Sequence, residues 1–71
     1  MDQQYDFLRE IREGDMIRWD GGVTPQNIPV KAIDIDYNWN RGTICATTPV
    51  DIQMSDNQWI LAIAHELWPV K

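Results

Sequence analysis

A single cysteine, Cys45, and a single histidine, His65, stand in this chain of 71 residues. Neither an internal disulfide nor a zinc site of the Cys/His type can be assembled within one copy of such a chain. A small fold without these staples depends on apolar burial for its stability. Hydrophobic residues make up 44% of the chain and charged residues 24%, ordinary globular usage that argues against disorder. One domain over residues 1–71 is expected, because chains divide into separate cores only at several times this length. The four tryptophans are the largest apolar side chains to hand. Trp19 and Trp59 are read as core, while Trp39, in a turn, suits either a core or an exposed role.

The apolar spacing divides the chain into elements. Tyr5, Leu8 and Ile11, with Phe7 beside them, predict a short amphipathic helix over Asp2 to Arg12, inside an N-terminal segment 1–13, and Gly14 is its stop signal. The period then changes to two. In Asp15–Asp20 the alternation puts Ile17 and Trp19 on one face of a strand that Gly21-Gly22 ends. Val23 to Pro29, with Pro25, Asn27 and Pro29, reads as a loop. Val30 to Tyr37 reads as a second strand whose apolar positions switch phase: Val30 and Ala32 share one parity, Ile33, Ile35 and Tyr37 the other. A one-residue phase change inside a strand predicts a bulge or sharp bend. Asn38 to Gly42 is a turn, Thr43 to Thr48 a β-branched return strand, and Pro49 ends or bends that strand.

Ser55 to Trp68 has two readings, and they decide the fold class. Ser55 with Gln58 matches a capping box, and Pro69 stands where a helix would have stopped, so an α+β protein with a C-terminal helix at about 56–67 is the alternative. As a strand, Trp59, Leu61 and Ile63 line one face and Ile60, Ala62 and Ala64 the other, entered by a tight turn at Ser55–Gln58 from Val50–Met54. A helix here would be apolar nearly all round, with little interior to hide it. The strand reading is preferred, followed by a short turn through His65-Glu66-Leu67 and a last strand at Trp68-Pro69-Val70. The fold class expected is mainly β.

Gly14-Asp15-Met16-Ile17-Arg18, Arg41-Gly42-Thr43-Ile44 and the closing Leu67-Trp68-Pro69-Val70 carry a resemblance to SH3-like small barrels over about residues 14–70. The resemblance implies a five-stranded barrel over 14–71 with a short N-terminal helix. It implies no particular activity, because such barrels serve many functions.

Charge narrows the function. Eleven acids against six bases give a net charge of −5 and a pI near 4.4. Such a surface repels phosphate backbones and attracts basic partners, so no direct nucleic-acid binding is expected. The longest apolar run, Trp59–Ala64, is far below the roughly 20 residues of a membrane span, and Met1–Asp6 is acidic where a secretory signal is basic and apolar. No membrane association and a cytoplasmic location are expected.

The candidate chemistry is sparse. Asp34, Asp36, Asn38 and Asn40 alternate like the opening of an EF-hand, but Trp39 and Cys45 stand where that loop needs glycine and glutamate, so no metal site is assigned. His65-Glu66 begins a zinc-protease helix motif whose second histidine is replaced by Pro69. Cys45, inside a predicted strand, reads as an inert buried thiol. No catalytic residue, cofactor or enzymatic activity is expected in a domain too small to enclose a ligand pocket readily.

The constellation that remains is aromatic and acidic. Tyr37 and Trp39 follow Asp34 and Asp36, and Trp19 and Asp20 end the first strand; in SH3-like barrels the corresponding loop and turn commonly lie on one side. Aromatic faces hold cations, and carboxylates add attraction, so these six residues suit a basic or proline-rich protein segment. The expected function is therefore a small non-enzymatic module binding another protein. The alternatives are an acidic inhibitor or nucleic-acid mimic of mobile-element origin, and a homo-oligomer that buries its tryptophans on assembly. Arg9, Arg12, Arg18 and Lys31 interrupt the acidic half and disfavour the mimic.

Overall fold

One long strand that changes partners halfway along organises the chain. The computed structural model describes residues 4–70. In it β1 (Met16–Trp19), β2 (Gln26–Ile35), β3 (Pro49–Met54), β4 (Trp59–Ile63) and β5 (Leu67–Pro69) form an antiparallel sheet in the order β4-β3-β2-β1-β5. The first residues of β2, Gln26 to Pro29, pair with β1, and Val30 to Ile35 pair with β3. Between the halves the register slips at Val30/Ala32. Ile28 and Val30 point inward before the slip, and Ile35 after it. This is the phase change visible in the apolar pattern, and it lets one strand feed a core from both halves. Lys31, the extra residue, donates from Nζ to Asn57 Oδ1 in the β3–β4 turn.

The core is wholly aliphatic. Leu8, Ile17, Ile28, Val30, Ile35, Ile44, Val50, Ile52, Ala62, Ala64 and Leu67 form one buried cluster. Trp19 is half-buried against it. Trp59, read from the sequence as core, is 52% exposed. The reason is parity: Ile60 and Ala62 pair with β3 across the inner face, which turns Trp59 and Leu61 outward.

Three further expectations are corrected. The helix expected over Asp2 to Arg12 is a 3-10 turn over Asp6–Glu10, with Ile11 already extended; Asp2 and Gln3 lie outside the described residues. Tyr5, Leu8 and Ile11 recur every three residues, which aligns them on a 3-10 helix and lets them drift on an α-helix. Such a short segment also lacks the length to sustain an α-helix alone. Leu8 anchors the turn in the core.

The loop expected to run to Pro29 ends sooner, at Pro25, and β2 begins at Gln26 and stops at Ile35 rather than Tyr37. Pro29 is tolerated within the strand because the Val30 N–H donates to Asp15 O, so the alternating ladder turns position 29 away from β1. Gly14, at φ +96°, makes the turn that delivers its own N–H to Val30 O.

The return strand expected at Thr43–Thr48 does not form, and β3 starts at Pro49. The Thr48 hydroxyl accepts the Cys45 N–H at 2.8 Å while the Thr48 N–H donates to Cys45 O at 3.1 Å. A hydroxyl that satisfies local backbone groups competes with a strand ladder.

Ser55–Trp68 contains no α-helix. Asn57 takes φ 71° in a turn closed by bonds between Met54 and both Asn57 and Gln58, and β4 follows. A single 3-10 turn, Ala64–Glu66, leads into β5. No helix among the described residues is long and apolar enough to cross a membrane.

Candidate functional site

The end of β2 and the start of β3 hold the acidic and aromatic residues singled out from the sequence. Asp34 lies directly opposite Asp51 in the β2–β3 ladder. Both side chains face outward, because Ile33, Ile35, Val50 and Ile52 take the inner positions on either side. Like charges placed opposite one another cost about 0.2–1 kcal/mol. Asp36 continues the row past the strand, its N–H donating to Pro49 O at 3.0 Å.

From Asp36 the chain turns sharply. Asp36 Oδ1 accepts the Asn38 N–H at 3.1 Å, and Asp36 O accepts the Trp39 N–H at 3.1 Å, an Asx-type arrangement. Gly42, at φ +86°, returns a bond to Tyr37 O at 2.7 Å. The result is an open depression of about 400 Å³ lined by Asp34, Ile35, Asp36, Tyr37, Asn38, Pro49 and Asp51.

Tyr37 already carries a cation on its ring. The Arg9 guanidinium carbon lies 5.1 Å from the ring centroid, within the range of a cation–π contact. Arg9 also donates to Gly42 O at 2.7 Å and sits 3.5 Å from an Asp6 oxygen. Asp6–Arg9 is the only ion pair among the described residues, so Asp34, Asp36 and Asp51 have no basic partner there.

Asp34, Asp36 and Tyr37 therefore share one depression, and Asp51 joins them. Trp39 is two residues beyond Tyr37, 54% exposed, with its indole N–H donating to Thr47 Oγ1 at 3.2 Å. Trp19 and Asp20 sit elsewhere. Trp19 pairs with Gln26 at the opposite end of β2, and its indole N–H points at Glu66 Oε1, 3.4 Å away. Gly21 leaves room beside them, since a Cβ there would lie 2.6 Å from the Trp19 indole nitrogen and force a side chain to shift. Asp20 lines a separate depression with Arg18, Trp68 and Pro69.

Asp51 was missed in the sequence reading. Its signal was present: the alternation Val50-Asp51-Ile52 turns it outward, and a hairpin pairing sets it against β2. Cys45 also differs from expectation. It lies in a turn and is half-buried, with its thiol 3.5 Å from Thr47 Oγ1 and 3.4 Å from Thr48 Oγ1. Hydrogen bonds from Thr47 and then Thr48 lower its pKa from 9.0 to about 7. His65 is exposed and borders an apolar depression of about 460 Å³ with Tyr5, Phe7, Leu67, Trp68 and Pro69.

Compared with protein-family models, with curated proteins and with solved structures, the chain matches none.

Proposed function

We propose that this protein is a small non-enzymatic interaction module of SH3-like form, and that the face holding Asp34, Asp36 and Asp51 receives a basic segment of another protein. The observation that carries the reading is the Asp34–Asp51 pair: two aspartates directly opposite each other in the ladder, with no basic side chain of the described residues paired to either. A cationic side chain placed between them would turn that repulsion into attraction. The Arg9 contact with Tyr37 is an internal instance of the chemistry, since the same ring already accepts a guanidinium. Trp39, 54% exposed and two residues beyond Tyr37, would supply apolar area for the stem of an arginine or lysine or for a neighbouring proline. The SH3-like form is supported by the order of elements, a meander of four strands whose fifth returns through a 3-10 turn to the far side of β1.

The test is a titration of the labelled protein with an arginine-rich peptide at low and physiological salt. Affinity is expected to fall as salt rises, and the double variant Asp34→Asn with Asp51→Asn is expected to bind at least tenfold more weakly, about 1.4 kcal/mol. The same variant should melt no lower than the parent, because it removes a repulsion. Trp39→Ala should weaken the complex while leaving the melting temperature nearly unchanged. Salt-independent binding, or full affinity in the double variant, overturns the reading.

A further inference from the structure

β4 is an edge strand whose protection is confined to its last residue. Its single strand neighbour is β3, and Ile60 and Ala62 face that neighbour in the ladder, as the bonds of Met54 with Gln58 and of Ala64 with Thr48 at either end require. Trp59, Leu61 and Ile63 therefore direct their backbone groups away from the sheet. The Ile63 N–H is taken by Glu66 Oε1 at 3.3 Å. The N–H and C=O of Trp59 and Leu61 and the C=O of Ile63 have no partner among the described residues. On the outer face Trp59 is 52% and Leu61 76% exposed. Natural edges are blunted by lysine, proline, bulges or short length. The run Asn57 to Ala64 has no charge, no proline and no bulge.

We propose that this edge is a self-association surface on which a second copy of the chain adds its own β4, antiparallel, about a two-fold axis through Leu61. The register is self-complementary. Full overlap of the five-residue strands places Leu61 opposite Leu61 and Trp59 opposite Ile63 on the outer face, an aromatic against a β-branched side chain. On the inner face it sets Ile60 against Ala62, large against small. The backbone supplies two bonds between the Leu61 residues and one from each Trp59 N–H to the other copy's Ile63 C=O.

Charge favours a second copy over a basic partner at this edge. The strip is neutral within a chain of net charge −5, so a cation gains nothing from the strand itself. Asp51 lies one strand in, opposite Leu61. In the pair of copies the two Asp51 side chains stand three strand spacings apart, about 14 Å, beyond the roughly 10 Å screening length at 0.1 M salt. Association closes at two copies, because the other edge, β5, is three residues long and contains Pro69. An interface this small falls below about 1,200 Å², so the dimer is weak and concentration-dependent.

The experiment is sedimentation equilibrium of the whole chain from about 1 μM to about 1 mM, at low and high salt. A monomer–dimer equilibrium that holds or tightens with salt is expected, opposite in sign to the binding of a basic peptide. Leu61→Lys should weaken it at least tenfold while the melting temperature of the dilute monomer stays put, since the side chain is exposed. Leu61→Cys in a Cys45→Ser background should cross-link on oxidation, because directly opposed bonded residues have Cα atoms about 5.5 Å apart, within disulfide reach. A chain that is monomeric at about 1 mM, a dimer indifferent to Leu61→Lys, a dimer that weakens with salt, or one that does not cross-link at position 61 overturns the proposal.

Discussion

Thr43–Thr48 and Trp59–Ile63 each go against one local signal in their sequence. The first is rich in β-branched residues and forms no strand; the second sits behind a helix-capping signal and forms one. The difference lies in where each segment's backbone groups find partners. Trp59–Ile63 meets β3 in register along its whole length. Around Thr48 the hydroxyl and N–H close a local turn with Cys45, and the carbonyls of Thr48 and Ala46 meet the 3-10 turn after β4 instead of a strand, accepting the Ala64 N–H at 3.0 Å and the His65 N–H at 2.9 Å. Intrinsic preference is a weak guide where a side chain can satisfy the backbone more cheaply than a neighbouring strand can.

The largest expected effect tests whether an irregular segment can matter as much as a strand. Ile44, in the turn-rich segment, is 4% exposed, and Ile52, in β3, is fully buried. Ile44→Ala and Ile52→Ala should each cost about 2–5 kcal/mol in denaturant unfolding. If Ile44→Ala costs less than about 1 kcal/mol, the segment is a cover and not part of the core.

A sharper test replaces the competing hydroxyl. Thr48→Val keeps the shape and the β-branching but leaves the part-buried Cys45 N–H without its acceptor, at an expected cost of about 1 kcal/mol. Unchanged stability, with amide protection spreading from β3 back through Thr48, would show that the strand preference had been held off by that one bond.

The smallest effect is read from the thiol. Hydrogen bonds from Thr47 and Thr48 bring Cys45 from 9.0 to about 7, so alkylation by iodoacetamide should show a midpoint near pH 7. Because the folded value lies below the unfolded one, the stabilisation is complete above pH 9 and is lost as pH falls through about 7. Stability attributable to this group therefore rises with pH between those values. In Thr47→Val the midpoint should move upward; a midpoint near 9 in the parent would mean that the turn does not hold the thiol as described.

Much of the sheet could be read directly from residue order. The parity change between Val30 and Ile33 announced the slip in β2, and the large and small faces of Trp59–Ala64 announced β4 and the turn before it. The assignment of those faces to inside and outside could not be read, because it depends on which row meets Ile52 and Val50 across the ladder. Hydrophobic size suggested that Trp19 and Trp59 would be core, whereas packing chose smaller aliphatic side chains that form one buried cluster. At the candidate site Asp34, Asp36 and Tyr37 came together because they are neighbours in sequence. Trp19 and Asp20 did not join them, because Trp19 pairs with Gln26 at one end of β2 and Asp34 lies near the other.

The pairing of β5 with β1 has a kinetic meaning. Ile17 opposite Pro69 joins residues more than two thirds of the chain apart, whereas β3 and β4 meet across a turn of a few residues. Loop-closure entropy makes the first kind of contact slow to form and unrewarded until the rest is in place. The β2–β3–β4 meander is therefore the part expected to assemble early, with the entry of Leu67, opposite Trp19, into the core expected to complete it. An aliphatic core fed by all five strands is then sealed last by its shortest one, and the same three residues are where the closed chain has least to lose on opening.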